Sequence, residues 1–107
     1  DRLSGGAGRD QLSGGSGADT VDGGTGRDTL WGGSGADVFI FEQGDGLDSL
    51  RDFQNGVDHI QVSGAGSMAA LSFIAGIGGT WLDYGNGAVF VRGMSQGQFD
   101  ASDFIFA

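Results

Sequence analysis

A nine-residue unit governs the first forty positions of the chain. The pattern G-G-x-G-x-D-x-U-x, with U apolar, occurs four times in succession, at Gly5–Ser13, Gly14–Asp22, Gly23–Trp31 and Gly32–Ile40. Its sixth position is Asp10, Asp19, Asp28 and Asp37, and its eighth is Leu12, Val21, Leu30 and Phe39, with Leu3 continuing the apolar series backwards. A period of nine fits neither an α-helix nor a coiled coil. It fits a solenoid in which each unit makes one turn and one very short strand. The fixed residues have separate physical reasons. Glycines let the backbone bend tightly with carbonyl oxygens turned into the loop. The aspartate adds a charged oxygen where the strand begins, and the one apolar residue of x-U-x faces inward because side chains alternate along a strand.

Each unit therefore supplies oxygens on its loop and one hydrophobic contact to a core. Oxygen ligands without nitrogen or sulfur suit a hard cation, and a flexible mixture of carbonyls and carboxylates suits Ca²⁺ better than Mg²⁺. The bulk composition agrees. With 24 Gly in 107 residues, no Pro, no Cys and a net charge of -9, the chain has no disulfide or thiolate site and no basic field for nucleic acid. No apolar run approaches the length that spans a bilayer. The sequence begins inside a repeat, since Asp1-Arg2-Leu3-Ser4 matches the tail of each later unit, so it reads as a fragment of a longer protein.

Four such units in register resemble the RTX (hemolysin-type) calcium-binding repeat. The resemblance implies an all-β fold, a right-handed parallel β-roll in which two units make one 18-residue turn, with calcium between a loop and the next-but-one. One implied site joins Gly6, Gly8 and Asp10 with Gly23, Thr25 and Asp28, and its counterpart joins Gly15, Gly17 and Asp19 with Gly32, Ser34 and Asp37. Asp1 with Gly14 and Ser16 would make a third, incomplete site. Gly24, Gly26, Gly33 and Gly35 extend the ligand series towards the upper end, where Asp48 is assigned beside Gly33, Gly35 and Asp37, with Asp45 a weaker candidate. Two to four calcium ions follow.

From Phe41 the register is lost, and six of the eight Phe fall between residues 53 and 106. An open solenoid end needs a cap with its own core. The division is thus residues 1–40 as calcium-binding roll and 41–107 as C-terminal antiparallel β cap. Period-two patterns mark strands at Val57–Val62, Thr80–Tyr84 and Ala88–Arg92, the last two flanking Gly85-Asn86-Gly87, a hairpin signal. Helical turns are expected near Ala69–Phe73 and Ser95–Phe99. Asp52 and Asp58 read as turn or strand-end caps. Gly44–Asp48 is not an EF-hand start, because no third acidic position and no twelfth-position Glu follow. The segments 39–64 and 85–107 are also similar to the endings of secreted RTX proteins.

No catalytic residue stands out. His59 is the single histidine, at an outward strand position, and with no Cys and no Lys the zinc, thiol, P-loop and Schiff-base chemistries fall away. The function expected is calcium-triggered folding. Repelling aspartates and a small core keep the chain open without cation, and millimolar extracellular calcium closes it. The resemblance further implies a secreted bacterial protein that leaves through type I secretion machinery, with an uncleaved signal ending at Asp103–Ala107. The alternative is a carbohydrate-binding accessory module for an anionic polysaccharide, such as the repeat module of an alginate epimerase. It draws on Arg9 and Arg27, 18 residues apart and so stacked on one side of the roll.

Overall fold

The computed structural model describes residues 2–42, 46–54, 57–62, 71–84, 87–94, 96–99 and 103–106. The period of nine becomes strands at a spacing of nine: β1 (Arg2–Ser4), β2 (Gln11–Ser13), β3 (Thr20–Asp22), β4 (Thr29–Trp31) and β5 (Val38–Phe41). They alternate between two sheets, so each sheet receives every second unit. Residues 18 apart pair in parallel: Leu3 with Val21, Leu12 with Leu30, and Val21 with Phe39. Alternation then sends only the central residue of each triplet inward. Val21, Leu30 and Phe39 are fully buried, while Leu3 and Leu12 are only partly covered at the first turn. One turn of the roll buries two apolar side chains, each contributing about 1.5–3 kcal/mol, which is little against the entropy of fixing 18 residues.

Parallel stacking continues past residue 40, with longer steps. β6 (Gly46–Leu50) pairs with β4 at a spacing of 20, and β7 (His59–Val62) pairs with β5 at 21. The odd strands form one five-stranded sheet, β1-β3-β5-β7-β11, completed by β11 (Phe104–Phe106) parallel to β7. The even strands form a six-stranded sheet, β2-β4-β6-β10-β9-β8, whose last three members are antiparallel. These are β8 (Ser72–Gly76), β9 (Gly79–Asp83) and β10 (Gly87–Arg92). The fold is a parallel β-roll with an antiparallel β cap, and no α-helix occurs among the described residues.

The expected hairpin strands pair antiparallel, Ala88 opposite Asp83 and Arg92 opposite Gly79, while residues 85 and 86 of its turn lie outside the described residues. The turn expected near Ser95–Phe99 is a 3-10 turn at Gln96–Gln98. The one expected near Ala69–Phe73 is corrected: residues 69 and 70 lie outside the described residues, and Ser72 and Phe73 open β8. As an edge strand with little burial, β8 has no clear period-two signal to read. The cap core is aromatic. Phe99 stands 6.4 Å from Phe53, 5.2 Å from Phe73 and 6.0 Å from Phe104, ring centre to ring centre. This cluster supplies the apolar burial that the narrow roll lacks.

Candidate metal centres

Each loop leaves one strand, turns, and delivers its aspartate to the start of the next. The turn needs left-handed backbone at the second and fourth positions, where Gly6 and Gly8 have φ of 79° and 96° and Gly24 and Gly26 have 79° and 101°. A Cβ on Gly24 would also run into the Gly6 carbonyl oxygen, and one on Gly26 into that of Gly8. Loops one full turn apart are therefore in direct contact, with the second and fourth carbonyls of one facing the glycines of the next.

The carboxylates form two ladders. Asp28 Oδ1 accepts a hydrogen bond from the Asp10 amide at 2.9 Å, and Asp48 Oδ1 accepts one from the Asp28 amide at 2.9 Å. On the other side Asp37 Oδ1 accepts from the Asp19 amide and Asp58 Oδ1 from the Asp37 amide, both at 2.9 Å. Oδ1 of Asp28 and of Asp37 is thus committed to lacing successive turns. The other oxygen has a different setting. A Cβ on Gly5 would lie 2.7 Å from Asp10 Oδ2 and 2.8 Å from the Gly23 carbonyl oxygen, and one on Gly14 would lie 2.7 Å from Asp19 Oδ2 and 2.8 Å from the Gly32 carbonyl oxygen. The first glycine of the loop keeps this place clear. Asp10 Oδ2 and Asp37 Oδ2 are buried and accept no hydrogen bond.

A buried carboxylate oxygen with no donor costs at least about 1–3 kcal/mol, and the cost is relieved by protonation or by a cation. Asp37 is pushed towards the first response. Burial raises its pKa, against the lowering effect of the Asp19 amide hydrogen bond and with the added repulsion of Asp58, Asp19 and Asp52. The second response is the one the donor set suits. Among the described residues no three acidic or histidine side chains converge. An ion here would be held by two carboxylates and main-chain oxygens, the hard and irregular ligand set of Ca²⁺. The residues present fit that ion.

The structure brings Asp10, the Gly23 carbonyl and Asp28 together, and likewise Asp19, the Gly32 carbonyl and Asp37. Thr25 and Ser34 sit exposed in their loops, so their main-chain carbonyls rather than their side chains are the inward-facing candidates. Asp1 and Asp45 lie outside the described residues, and with Asp1 goes the site it was to form with Gly14 and Ser16. Asp48 is corrected: it stands one turn beyond Asp28, not beside Asp37, because the half-turn before it is lengthened by two residues and β6 belongs to the even sheet. Gly24 and Gly26, not Gly33 and Gly35, are the glycines of its neighbouring loop.

The aspartate beyond Asp37 is Asp58, and its Oδ2 accepts from the Gln54 amide at 2.9 Å. Asp52 grips the Gly32 and Gly33 amides at 2.7 and 2.9 Å. Both act as the caps expected of them. The signal for the alignment of Asp48 and Asp58 was D-x-U without its glycines: Asp48-Ser49-Leu50 and Asp58-His59-Ile60 repeat the spacing of Asp37-Val38-Phe39.

Stacked glycine loops, paired carboxylates and two parallel sheets define a calcium-binding β-roll module. The comparisons with known proteins name its repeat. Residues 1–30 and 13–47 match the RTX calcium-binding nonapeptide repeat, in four copies. Among solved structures, the chain is similar to the extracellular lipase LipA from Serratia marcescens, with a TM-score of 0.72 and 24% identity, over 96% of this chain and 20% of the lipase. It is also similar to the AlgE6R3 subunit of the Azotobacter vinelandii mannuronan C5-epimerase, with a TM-score of 0.69 and 26% identity, over 96% of this chain and 80% of that subunit. The likeness to the lipase speaks for the fold alone, and the chain spans a fifth of its length. A search of the curated proteins finds no match.

Proposed function

We propose that this chain is a calcium-triggered folding module of an exported bacterial protein, with no catalytic residue of its own. Residues 1–40 hold the ions and residues 41–107 close the roll. The complete ligand sets are Gly6, Gly8, Asp10, Gly23, Thr25 and Asp28, and Gly15, Gly17, Asp19, Gly32, Ser34 and Asp37, with Asp28 and Asp48 available for a further ion. The single observation that carries this reading is the buried, donor-free Oδ2 of Asp10 and of Asp37 in a chain of net charge -9. Bound calcium supplies charge neutralisation at these oxygens, and because the loops are not held open in the unfolded chain, binding free energy becomes folding free energy. Extracellular modules load at roughly 10⁻⁴–10⁻³ M calcium, which defers folding until after export. The last residues, from buried Asp103 and Phe104 onward, serve as the type I secretion signal on the unfolded chain and as β11 afterwards.

Circular dichroism in chelator and then in millimolar calcium tests the folding switch. The expected result is a gain of β signal with calcium and much less with magnesium at equal concentration. A full β spectrum in chelator, unchanged by calcium, would sink the proposal. A second reading, an accessory module that also binds saccharide, is favoured by the likeness to the epimerase subunit and by the placing of Arg9 and Arg27 on one cleft.

A further inference from the structure

The outward face of the even sheet carries one register-matched row across all six strands. Gln11 pairs with Thr29, Thr29 with Ser49, Ser49 with Phe90, Phe90 with Trp81, and Trp81 with Ile74. Their strand neighbours Leu30, Leu50, Val89, Val91 and Leu82 are the buried ones, so alternation turns this row to solvent, and none of its six residues is buried. At the usual strand separation the row runs on the order of 24 Å. One half offers hydroxyl and amide groups. The other half is an apolar platform in which the Trp81 and Phe90 rings lie 5.2 Å apart and Ile74 is 54% exposed.

Arg9 and Arg27 stand at the loop edge of this row. Together with Leu47 and Trp81 they line an open cleft of about 270 Å³ whose walls include Asp28 and Asp48. Those two carboxyl groups are 2% exposed and each has Oδ1 committed to an amide, so the charge that reaches solvent is the pair of guanidinium groups. Two of the five basic residues of a strongly acidic chain thus meet at one cleft. The exposure of a loop's fifth position explains an arginine there. It does not explain why a tryptophan from the distant cap completes the same cleft.

We propose that this cleft and row bind an acidic polysaccharide, with its carboxylates on Arg9 and Arg27, a sugar ring over Trp81, and its hydroxyls along Ser49, Thr29 and Gln11. The chemistry fits each part. Arginine takes carboxylates in bidentate fashion, an indole offers a broad apolar face, and hydroxyl and amide side chains both donate and accept. With a net charge of -9 the chain draws in no polyanion by bulk charge, so the contact rests on these local groups. The inference rests on the second reading above and assigns it a surface.

The test uses the calcium-loaded chain, an oligomannuronate of defined length, and a neutral cello-oligosaccharide of equal length. With Trp31→Phe in the background, Trp81 emission reports on the cleft while calorimetry reports total binding. The acidic sugar is expected to change Trp81 emission saturably and to bind at least tenfold more tightly than the neutral one. Arg9→Gln with Arg27→Gln is expected to weaken it at least tenfold, with the calcium midpoint of folding unchanged. Amide shift mapping on the unsubstituted chain, needing no variant, is expected to highlight residues 9, 27, 29, 49 and 81. Equal affinity for both sugars, or shifts confined to the opposite sheet, overturns this surface. Heat of binding that survives the double substitution undiminished overturns the surface but spares the saccharide-binding reading. No binding of either sugar by the folded chain overturns both.

Discussion

Asp28 is the rung on which the calcium reading is most exposed to test. Its Oδ1 accepts from the Asp10 amide, its own amide donates to Asp48, and its Oδ2 faces the clear space beside Gly23. Asp28→Ala removes two things that can be sized separately. A calcium site with a dissociation constant of about 10⁻⁴ M, filled at about 10 mM calcium, stabilises the fold by about 2.7 kcal/mol. The hydrogen bond from an amide to a charged oxygen adds about 1.5–3 kcal/mol. The alanine variant should therefore lose about 4–6 kcal/mol, a large part of the 5–15 kcal/mol that holds ordinary domains together. Asp28→Asn keeps the Oδ1 acceptor and loses the charge. It should lose about 2.7 kcal/mol, which for a domain of this size is a fall of about 10–20 °C in Tm. Calorimetry should count fewer ions in both variants, and the calcium midpoint seen by circular dichroism should move upward, further for alanine than for asparagine. A full complement of ions with an unmoved midpoint in Asp28→Ala would refute the pairing of loops one turn apart.

Other perturbations separate geometry from charge. Gly24→Ala places a methyl group against the Gly6 carbonyl at a φ of 79°, and should raise the calcium midpoint severalfold. Gly97→Ala, where a Cβ meets nothing within 4 Å, should leave the midpoint where it is. For pH the signs oppose each other. Asp37 has its folded pKa raised, so the stability linked to its proton is present below the ordinary carboxylate value of 3.8 and is lost as pH rises through the folded value. Residual β signal in chelator should accordingly strengthen on acidification, while calcium affinity, which needs deprotonated ligands, should fall over the same range. Paired circular dichroism titrations with and without calcium read both trends. His59→Ala should leave calcium stoichiometry intact, because that side chain lies outside the loops; a lost ion in calorimetry would contradict this. Deletion of residues 103–107 from the full-length protein should trap it inside the cell; normal export would defeat the signal assignment.

What the sequence made legible follows its periodicity. Up to Ile40 the strands and the inward residues could be read from the period of nine, because each unit repeats the same local solution to the same bend, while the spacing of 18 came from the resemblance to the RTX repeat. Beyond it the full turns lengthen from 18 residues to 20 and 21, so counting by nines points to the wrong neighbour. Asp48 was paired with Asp37 by closeness in sequence, whereas its ladder partner is Asp28. Pairings such as Val89 opposite Asp48 and Ile105 opposite Gln61 join segments more than forty residues apart. No local pattern encodes them; they follow from which apolar faces must cover the open end. The aromatic content of the last half announced a cap, but the parallel attachment of β11 to β7 depends on Phe104 filling space among Phe73 and Phe99.

The way the odd-strand ladder ends shows why the glycines stop where they do. Asp37 has an oxygen that accepts no hydrogen bond, whereas Asp58, the next rung, has both oxygens engaged, by the Asp37 and Gln54 amides. Asp52 adds two more amide bonds across Gly32 and Gly33. Amide donors of the chain thus supply at this end the compensation that a cation supplies at the earlier rungs. With no ion to surround, the loop needs no carbonyl cradle, and Gln54 and Asp58 can occupy it in place of the glycine pattern. Each such amide bond to a carboxylate contributes about 1.5–3 kcal/mol without metal. The fourth loop is therefore tied to the cap by bonds that do not need calcium.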